Sequence, residues 1–332
     1  MTAAGVRDLA NWRGDDRDVA DRLTRILSED EIRALRDLAD RHAARPADEI
    51  AAADFSVPAT DGLIEDLQYA VMDGAGATIL KGLDPGSMKA GAFERIFWGL
   101  GSQLGDGAIQ SPSGERIARV EKREDNPEGR GTLMDGELRP HTDLHEILAL
   151  ACISEAAEGG ESMLVSAAAL RDAVADRDPD ALAALEQGYY AGINEVVGGA
   201  EPVTQEPVPI FSETQGRLSC WYNRFFLAAA ARARREEFPE AFAHAMAVLD
   251  EEAMRPGLGY RFDLEPGDMM FWHNWTCLHA RQAFKDGGGR KRLLLRLWLN
   301  VERGRPVDPR VAARAAAIDA DHAAAFARRQ AA

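Results

Sequence analysis

The histidine and acidic residues near position 141 are the first candidates for chemistry in this chain of 332 residues. His141 and Asp143 are two residues apart, and residues i and i+2 of an extended segment project from the same face. Two histidines and one carboxylate on one face of an octahedron form the metal site of non-haem Fe(II) oxygenases. A hydrogen-bonded pair at the surface is an equally good interpretation of the His-x-Asp spacing alone.

Three further histidines are candidates for the third metal ligand. His145 shares the face of His141 if the strand stays extended, but three ligands from one short strand lie too nearly in line to cap an octahedral face. This favours a histidine from another strand, such as His279, which follows an apolar run and a turn at 265–268. His273 could line a pocket, donate a hydrogen bond to a metal ligand or be a core histidine, and we favour the core histidine. The remaining histidines lie in polar or alanine-rich helices and are predicted to be surface groups: His42, His244 and His322.

The segment 290–299 alternates leucine and arginine in a pattern that places charge inside the protein. One face consists of leucines and should be buried beneath helices, so the opposite face carries Arg292 and Arg296 into the interior. A buried arginine needs an anionic partner, because an unpaired interior charge is very costly. A bound dicarboxylate would supply that partner through a bidentate contact. The alternative is an edge strand whose two arginines face water.

Composition and charge exclude several classes of partner. The chain has 39 Lys and Arg against 55 Asp and Glu, a net charge of −16, which argues against nucleic acid and against an anionic membrane surface. No run approaches the roughly 20 apolar residues of a membrane-spanning helix, and the first residues lack the apolar segment of a secretory signal. Three widely spaced cysteines in apolar runs are typical of buried free thiols in a reducing compartment. We expect a soluble cytoplasmic protein.

The predicted elements change in character near residue 105. Helices are predicted at 16–27, 28–43, 62–72 and 88–104, with a strand at 77–80. Later strands are predicted at 117–121, 147–153, 162–165, 189–197, 207–211, 217–222, 260–264, 269–272 and 290–301, with helices at 167–176 and 239–254 and a solvated helix at 311–332. We therefore predict a single domain over 1–332, with a mainly helical part at 1–104, a β core at 105–301 and a helical tail at 302–332.

Four stretches together resemble the taurine dioxygenase family of Fe(II)- and 2-oxoglutarate-dependent oxygenases, near its clavaminate-synthase-like branch. They are PHTD at 140–143, a segment containing EGGES at 148–167, EPGDMMFWHNWTCLHARQAF at 265–284 and RLLLRLWL at 292–299. The order HxD, EGGES, NxxxLHxR and RxxxR is specific, and the resemblance spans roughly residues 80 to 300. It implies a mainly β fold with flanking helices, a double-stranded β-helix or jelly roll.

The resemblance also implies roles for the residues at matching positions. The Fe(II) ligands would be His141, Asp143 and His279. Arg296 would form the salt bridge to the distal carboxylate of 2-oxoglutarate, Ser162 would place its hydroxyl on that carboxylate, and Arg292 would approach the 1-carboxylate. The implied reaction consumes dioxygen and 2-oxoglutarate, releases succinate and CO2, and hydroxylates or otherwise oxidises an unactivated C–H bond.

The sequence says less about the substrate. By analogy with the family we expect a small polar molecule, such as an amino acid derivative or an organic acid. Candidate substrate contacts are Gln110, His145 and Arg224, and the loop at 123–137 is predicted to be a lid or, equally, a surface loop. The sequence leaves open whether the chain forms a homo-oligomer.

Two other functions are compatible with parts of the sequence. A zinc-dependent hydrolase would use His141, Asp143 and His145, but it leaves the arginine strand and the EGGES segment unexplained. A non-catalytic jelly-roll binding protein would be free to lose a metal ligand, and the intact HxD…H set argues against it.

Overall fold

The computed structural model describes residues 9–111, 113–124, 133–193, 203–302 and 304–330. Within these ranges the helices are α1 (Val19–Leu23), α2 (Glu29–Arg41), α3 (Asp61–Met72), α4 (Ala92–Gly101), α5 (Ala167–Arg177), α6 (Pro179–Gln187), α7 (Arg224–Arg234), α8 (Glu240–Ala253) and α9 (Pro309–Gln330). The strands are β1 (Thr24–Ile26), β2 (Ala77–Lys81), β3 (Asp106–Gly107), β4 (Ala118–Val120), β5 (Leu138–His141), β6 (Ile147–Ser154), β7 (Glu158–Gly159), β8 (Ser162–Ser166), β9 (Phe211–Thr214), β10 (Arg217–Cys220), β11 (Tyr260–Phe262), β12 (Met269–His273), β13 (Cys277–Arg281), β14 (Phe284–Lys285) and β15 (Leu293–Asn300).

Two sheets form the centre of the fold. The larger has the strand order β1-β2-β12-β6-β15-β3, with β4 also paired to β15, and the smaller has the order β11-β8-β13-β5. Their pairs are antiparallel except for β1 with β2. Side chains from both sheets line one cavity, so the sheets face each other across it. This is the double-stranded β-helix, or jelly roll, that the resemblance implies.

The N-terminal helices cover the outer face of the larger sheet. Leu295, Leu297 and Leu299 of β15 belong to a buried apolar cluster that includes Leu35 of α2 and Phe97 of α4. The alternation of β15 follows from the period of two in a strand, which sends successive side chains to opposite faces. The prediction that helices bury the leucine face is therefore confirmed.

Arg296 on the opposite face of β15, and Arg292 just before the strand, point into the interior. Arg292 and Arg296 each expose only 6% of their surface. Their burial excludes the interpretation of β15 as an edge strand whose arginines face water. Two charged side chains are thus held between the sheets, where they require anionic or hydrogen-bonding partners.

The predicted helix at 16–27 is wrong in its second half. Helix α1 ends at Leu23, and Thr24–Ile26 form β1, which pairs in parallel with β2 of the larger sheet. Thr24 and Ile26 are β-branched and fit a strand better than a helix. Helix α2 then begins after Ser28, whose hydroxyl accepts a hydrogen bond from the Glu31 amide while the Glu31 carboxylate accepts from the Ser28 amide, as a capping box requires.

Other boundaries also differ from the predictions. Helix α4 is shorter than predicted, and helices α6 and α7 were not predicted. The predicted strand at 189–197 reduces to isolated bridges at Tyr189 and Gly192, and its part at 194–197 lies outside the described residues. The strand predicted at 207–211 begins only at Phe211. Residues 125–132 of the predicted lid and residues 331–332 of the predicted tail also lie outside the described residues.

Helix α9 packs on the β core, so the prediction of a solvated tail is wrong. Its buried residues recur every three to four positions along one face: Val311, Arg314, Ile318 and His322. His322 was predicted to be a surface group, yet it is buried and its Nδ1 lies 3.2 Å from the Ile109 carbonyl oxygen. Most of the residues between these positions are alanines, so the composition of the segment did not indicate which face is buried.

The cysteine and membrane expectations can be compared with the described residues. Cys152, Cys220 and Cys277 are all buried free thiols, as predicted. Across the parts of the chain that the structure describes, no helix combines the length and the apolar character that crossing a bilayer demands.

Candidate metal and co-substrate site

The two histidines of the predicted metal site come from neighbouring strands of the smaller sheet. His141 is the last residue of β5, and its register partner across the sheet is His279 of β13. The centroids of the two imidazole rings lie 4.2 Å apart. Asp143 lies beyond the end of β5, with its Oδ1 3.5 Å from Nε2 of His141. One ligand atom from each of the three side chains lies within 4.8 Å of the others.

The donor set of this triad fits Fe(II). Nδ1 of His141 donates a hydrogen bond to the Arg139 carbonyl oxygen at 2.7 Å, which leaves the Nε2 lone pair directed to the triad. Nδ1 of His279 is buried and has no hydrogen-bond partner among the described residues. Two imidazole nitrogens and one carboxylate suit a divalent transition metal, and three protein ligands leave coordination positions open.

The protonation states of the triad also suit a metal. Burial opposes ionisation of Asp143, but the hydrogen bond with His141 and the positive charge of Arg296 hold the pKa of this carboxyl far below its usual range. Burial lowers the pKa of His279 to about 3, and the neighbouring His141 contributes in the same direction. At neutral pH Asp143 is therefore a carboxylate and His279 a neutral imidazole, the forms that bind metal.

Two residues that sequence reasoning missed hold Asp143 in place. The Asn274 side chain accepts a hydrogen bond from the Asp143 amide at 3.0 Å and donates to the His145 carbonyl oxygen at 2.8 Å. Nε1 of Trp298 donates to Oδ2 of Asp143 at 3.0 Å. Asn274 is the first residue of the NxxxLHxR motif, and Trp298 lies on the arginine face of β15. These two positions in the sequence could have identified both residues.

Three buried arginines line the cavity beside the triad. Arg296 places Nη1 3.5 Å from Oδ2 of Asp143, while Arg292 and Arg281 lie near the ring of Phe284 at 5.3 and 4.7 Å from its centroid. Burial lowers the pKa of both Arg281 and Arg292 to about 10. Neither of them forms an ion pair with a carboxylate of the described residues. The cavity therefore presents uncompensated positive charge.

Ser162 lines the same cavity, and it is the register partner of Arg281 across β8 and β13. Arg281 was not among the predicted site residues. It lies two positions after His279 on the same strand, so both side chains project from one face. That spacing in the NxxxLHxR motif was the signal that could have identified it.

Gln110 was predicted to contact substrate, but the structure places it behind Arg296. Its Oε1 accepts from Nε of Arg296 at 2.8 Å, and its Nε2 donates to the carbonyl oxygens of Arg296 at 2.8 Å and Arg116 at 2.7 Å. The side chain is fully buried. The Gln110 amide therefore orients Arg296 in the cavity. The residues next to Gln110 in the sequence do not indicate this contact.

The other two predicted substrate contacts also have protein partners. Nδ1 of His145 donates to Oδ1 of Asn300 at 3.0 Å, and burial lowers the pKa of His145 to about 4. Arg224 forms an ion pair with Asp250 at 2.7 Å, and its Nε donates to the Tyr222 hydroxyl at 3.0 Å. Neither side chain is directed at the triad by these contacts.

The zinc-hydrolase alternative is not supported by the position of His145. The metal-ligand cluster found among the described residues contains His279 and not His145. His273, interpreted as a core histidine, is completely buried, and its Nε2 lies 3.2 Å from Oε1 of Glu146. The fold and the donor set together define a non-haem Fe(II) oxygenase.

Comparisons with known proteins agree with this class. The family described as "Taurine catabolism dioxygenase TauD, TfdA family" matches residues 36–298. FR-33289 synthase of Streptomyces rubellomurinus is 30% identical over 254 residues, which cover 73% of this chain and 73% of that protein. The chain therefore belongs to the TauD/TfdA family, and it is an Fe(II)- and 2-oxoglutarate-dependent dioxygenase.

Solved structures share the fold. An asparagine oxygenase in complex with Fe(II), 2S,3S-3-hydroxyasparagine and succinate has a TM-score of 0.68 at 17% identity, covering 83% of this chain and 93% of that chain. The non-heme iron oxygenase OrfP in complex with Fe and alpha-ketoglutaric acid has a TM-score of 0.58 at 15% identity, covering 83% and 94%. The structure of OrfP in complex with Fe, succinate and (3S)-hydroxy-L-Arg has a TM-score of 0.61 at 14% identity, covering 83% of this chain and 94% of that chain.

Proposed function

We propose that this dioxygenase hydroxylates, or otherwise oxidises, an unactivated C–H bond of a small polar molecule, an amino acid derivative or an organic acid, with release of succinate and CO2. The observation that carries the proposal is the meeting of the triad and the buried arginines in one cavity between the two sheets. A metal site alone would fit several reactions, whereas a metal site beside uncompensated buried cations fits an anionic co-substrate.

In this proposal the Fe(II) ligands are His141, Asp143 and His279. When bound, Fe(II) supplies the redox chemistry that couples decarboxylation of 2-oxoglutarate by dioxygen to oxidation of the substrate. The protein binds and orients the two organic molecules and excludes water from the cavity. Asp143 is buried and the two histidines are half-buried between the sheets, which supports the last of these roles.

The positions of Arg296 on β15 and of Arg292 just before it support an assignment opposite to that implied by the resemblance. Arg296 approaches Asp143, whereas Arg292 lies four residues earlier, just before the first residue of β15, about 13 Å away at the usual rise of an extended chain. We therefore propose that Arg296 meets the carboxylate of 2-oxoglutarate next to the metal. Arg292 and Ser162 then hold the distal carboxylate, with Arg281 adding positive charge on that side.

The substrate class is supported by the neighbours that share the fold. The two solved complexes contain hydroxylated amino acids together with succinate, 2S,3S-3-hydroxyasparagine in one and (3S)-hydroxy-L-Arg in the other. A free amino acid or a derivative of one is therefore our first choice of substrate, with organic acids as the second.

The test is an anaerobic titration with Fe(II) followed by 2-oxoglutarate. We expect a weak visible charge-transfer band in the wild type that is lost in His141→Ala. His244→Ala is the matched control, since His244 lies in α8 and is exposed, with its Nε2 2.8 Å from Asp178. Oxygen uptake and succinate release would then be screened across amino acids and organic acids. Stoichiometric zinc and no uptake of oxygen with 2-oxoglutarate would overturn the proposal.

A further inference from the structure

The two oxygens of the Asp143 carboxylate have different surroundings. Oδ1 faces Nε2 of His141 at 3.5 Å, on the side of the triad. Oδ2 accepts the hydrogen bond of the Trp298 indole at 3.0 Å, and Trp298 exposes only 1% of its surface. A carboxylate whose second oxygen is occupied by a buried donor offers one oxygen to a metal and keeps its orientation.

The indole of Trp298 is itself enclosed by other side chains. The guanidinium carbon of Arg296 lies 4.1 Å from its ring centroid, and the His145 ring centroid lies 4.9 Å away. On α9, the ring of His322 lies 6.2 Å away and nearly parallel, with an interplanar angle of 7°. The tryptophan therefore has little freedom to turn its N–H away from Asp143.

Helix α9 is also hydrogen-bonded to the strand just beyond Trp298. Oδ2 of Asp319 accepts from Nδ2 of Asn300 at 3.0 Å, and Oδ1 of Asn300 accepts from His145 at 3.0 Å. The family match ends at residue 298, so α9 (Pro309–Gln330) lies outside the matched residues. The helix nevertheless reaches the surroundings of the metal ligands.

We propose that Trp298 is a positioning residue that keeps Asp143 in one-oxygen coordination, and that α9 holds Trp298 in place through His322 and Asp319. The inference rests on the proposed metal site and adds residues that determine how Asp143 would coordinate the metal. Restricting the carboxylate to one oxygen leaves a coordination position for the co-substrate that a two-oxygen contact would fill. Partners that orient a metal ligand in this way typically change metal affinity by about 10- to 100-fold when removed.

The test compares Trp298→Phe with Trp98→Phe, using Co(II) as a spectroscopic probe and Fe(II) under anaerobic conditions. Trp98 of α4 is also buried, and its Nε1 donates to the Ile50 carbonyl oxygen at 2.8 Å, so both variants lose one buried indole hydrogen bond. We expect about 10- to 100-fold weaker metal binding and an altered visible Co(II) spectrum in Trp298→Phe only. A purely structural role would lower the melting temperature of both variants and leave the spectrum unchanged.

A second pair of variants tests the contribution of α9. His322→Ala removes the ring that faces Trp298, and His244→Ala removes an exposed helical histidine. We expect metal affinity to fall by about tenfold in His322→Ala, the lower end of the range for such partners, and to stay at the wild-type value in the control. This pair also carries the test if Trp298→Phe does not fold.

The outcomes separate the inference from the proposed function. Wild-type affinity and spectrum in folded Trp298→Phe, with binding lost in His141→Ala, overturn the role of Trp298 and leave the metal site intact. Wild-type affinity in His322→Ala overturns the role of α9. A wild type that binds neither metal overturns the proposed function itself.

Discussion

Gln110 and Arg296 hold each other through a reciprocal pair of hydrogen bonds. Nε of Arg296 donates to Oε1 of Gln110, and Nε2 of Gln110 donates to the Arg296 carbonyl oxygen, both at 2.8 Å. The two residues lie 186 positions apart in the sequence. The contact fixes the guanidinium beside the metal ligands before a co-substrate arrives, and this lowers the entropic cost of binding.

Gln110→Leu should weaken 2-oxoglutarate binding while preserving the metal site. A hydrogen bond to a charged group contributes about 1.5–3 kcal/mol, so we expect KM for 2-oxoglutarate to rise roughly 10-fold or more. Steady-state kinetics and anaerobic Fe(II) titration measure the two effects. Gln103→Leu is the control, because Gln103 donates to the Ala52 carbonyl oxygen away from the cavity. An unchanged KM in Gln110→Leu would contradict the positioning of Arg296 by this amide.

Substitutions of Arg292 and Arg296 should differ in their effect on the binding of 2-oxo acids. If Arg292 holds the distal carboxylate, Arg292→Gln should weaken the binding of 2-oxoglutarate at least about tenfold. The binding of pyruvate should not change in this variant, since pyruvate has no distal carboxylate. Arg296→Gln should weaken the binding of both acids. Anaerobic binding titrations with each acid distinguish the two variants. Equal losses for pyruvate in both variants would contradict the assignment of the distal carboxylate to Arg292.

Asn274→Ala should destabilise the protein and loosen the metal site together. The substitution leaves the Asp143 amide and the His145 carbonyl group buried without their partner, which costs about 1–3 kcal/mol for each. Urea unfolding with and without metal measures both effects, and the stabilisation by metal should shrink. Asn11→Ala is the control, since the Asn11 amide donates to Asp172 at an exposed site. Undiminished stabilisation by metal in Asn274→Ala would refute the coupling.

The metal-free protein should lose stability as the pH falls below neutrality. Burial lowers the pKa of His273, lowers that of His145 to about 4 and lowers that of His279 to about 3, from an ordinary value of 6.5. Below 6.5 the unfolded chain takes up protons at these residues and the folded chain does not, so the free energy of unfolding falls. Each buried histidine contributes up to about 1.4 kcal/mol per pH unit.

Urea unfolding of the metal-free protein at about pH 7 and about pH 5 measures this dependence. His145→Gln should reduce the slope, because one group that differs between the folded and unfolded states is removed. The exposed His244→Gln is the control. A free energy of unfolding that does not change over this interval would contradict the burial of neutral imidazoles.

Local patterns predicted those parts of the site that depend on strand periodicity and motif order. The alternation of leucine and arginine in β15 predicts a buried apolar face and an interior charged face, because side-chain direction repeats every two residues. The family resemblance carried by the HxD and NxxxLHxR motifs implied the three ligands, which the structure brings within 4.8 Å of one another. By contrast, the predicted helix at 16–27 failed because pairing with β2 overrode the helical spacing of its last residues.

The sequence by itself determined which side chains can bind a metal and that charge must enter the core. Only the tertiary structure decided which residues surround them. Gln110 hydrogen-bonds Arg296, Trp298 hydrogen-bonds Asp143, and His322 on α9 is buried. Each of these contacts joins segments that are distant along the chain. Local composition and periodicity describe one element at a time, whereas such contacts follow from how whole elements pack.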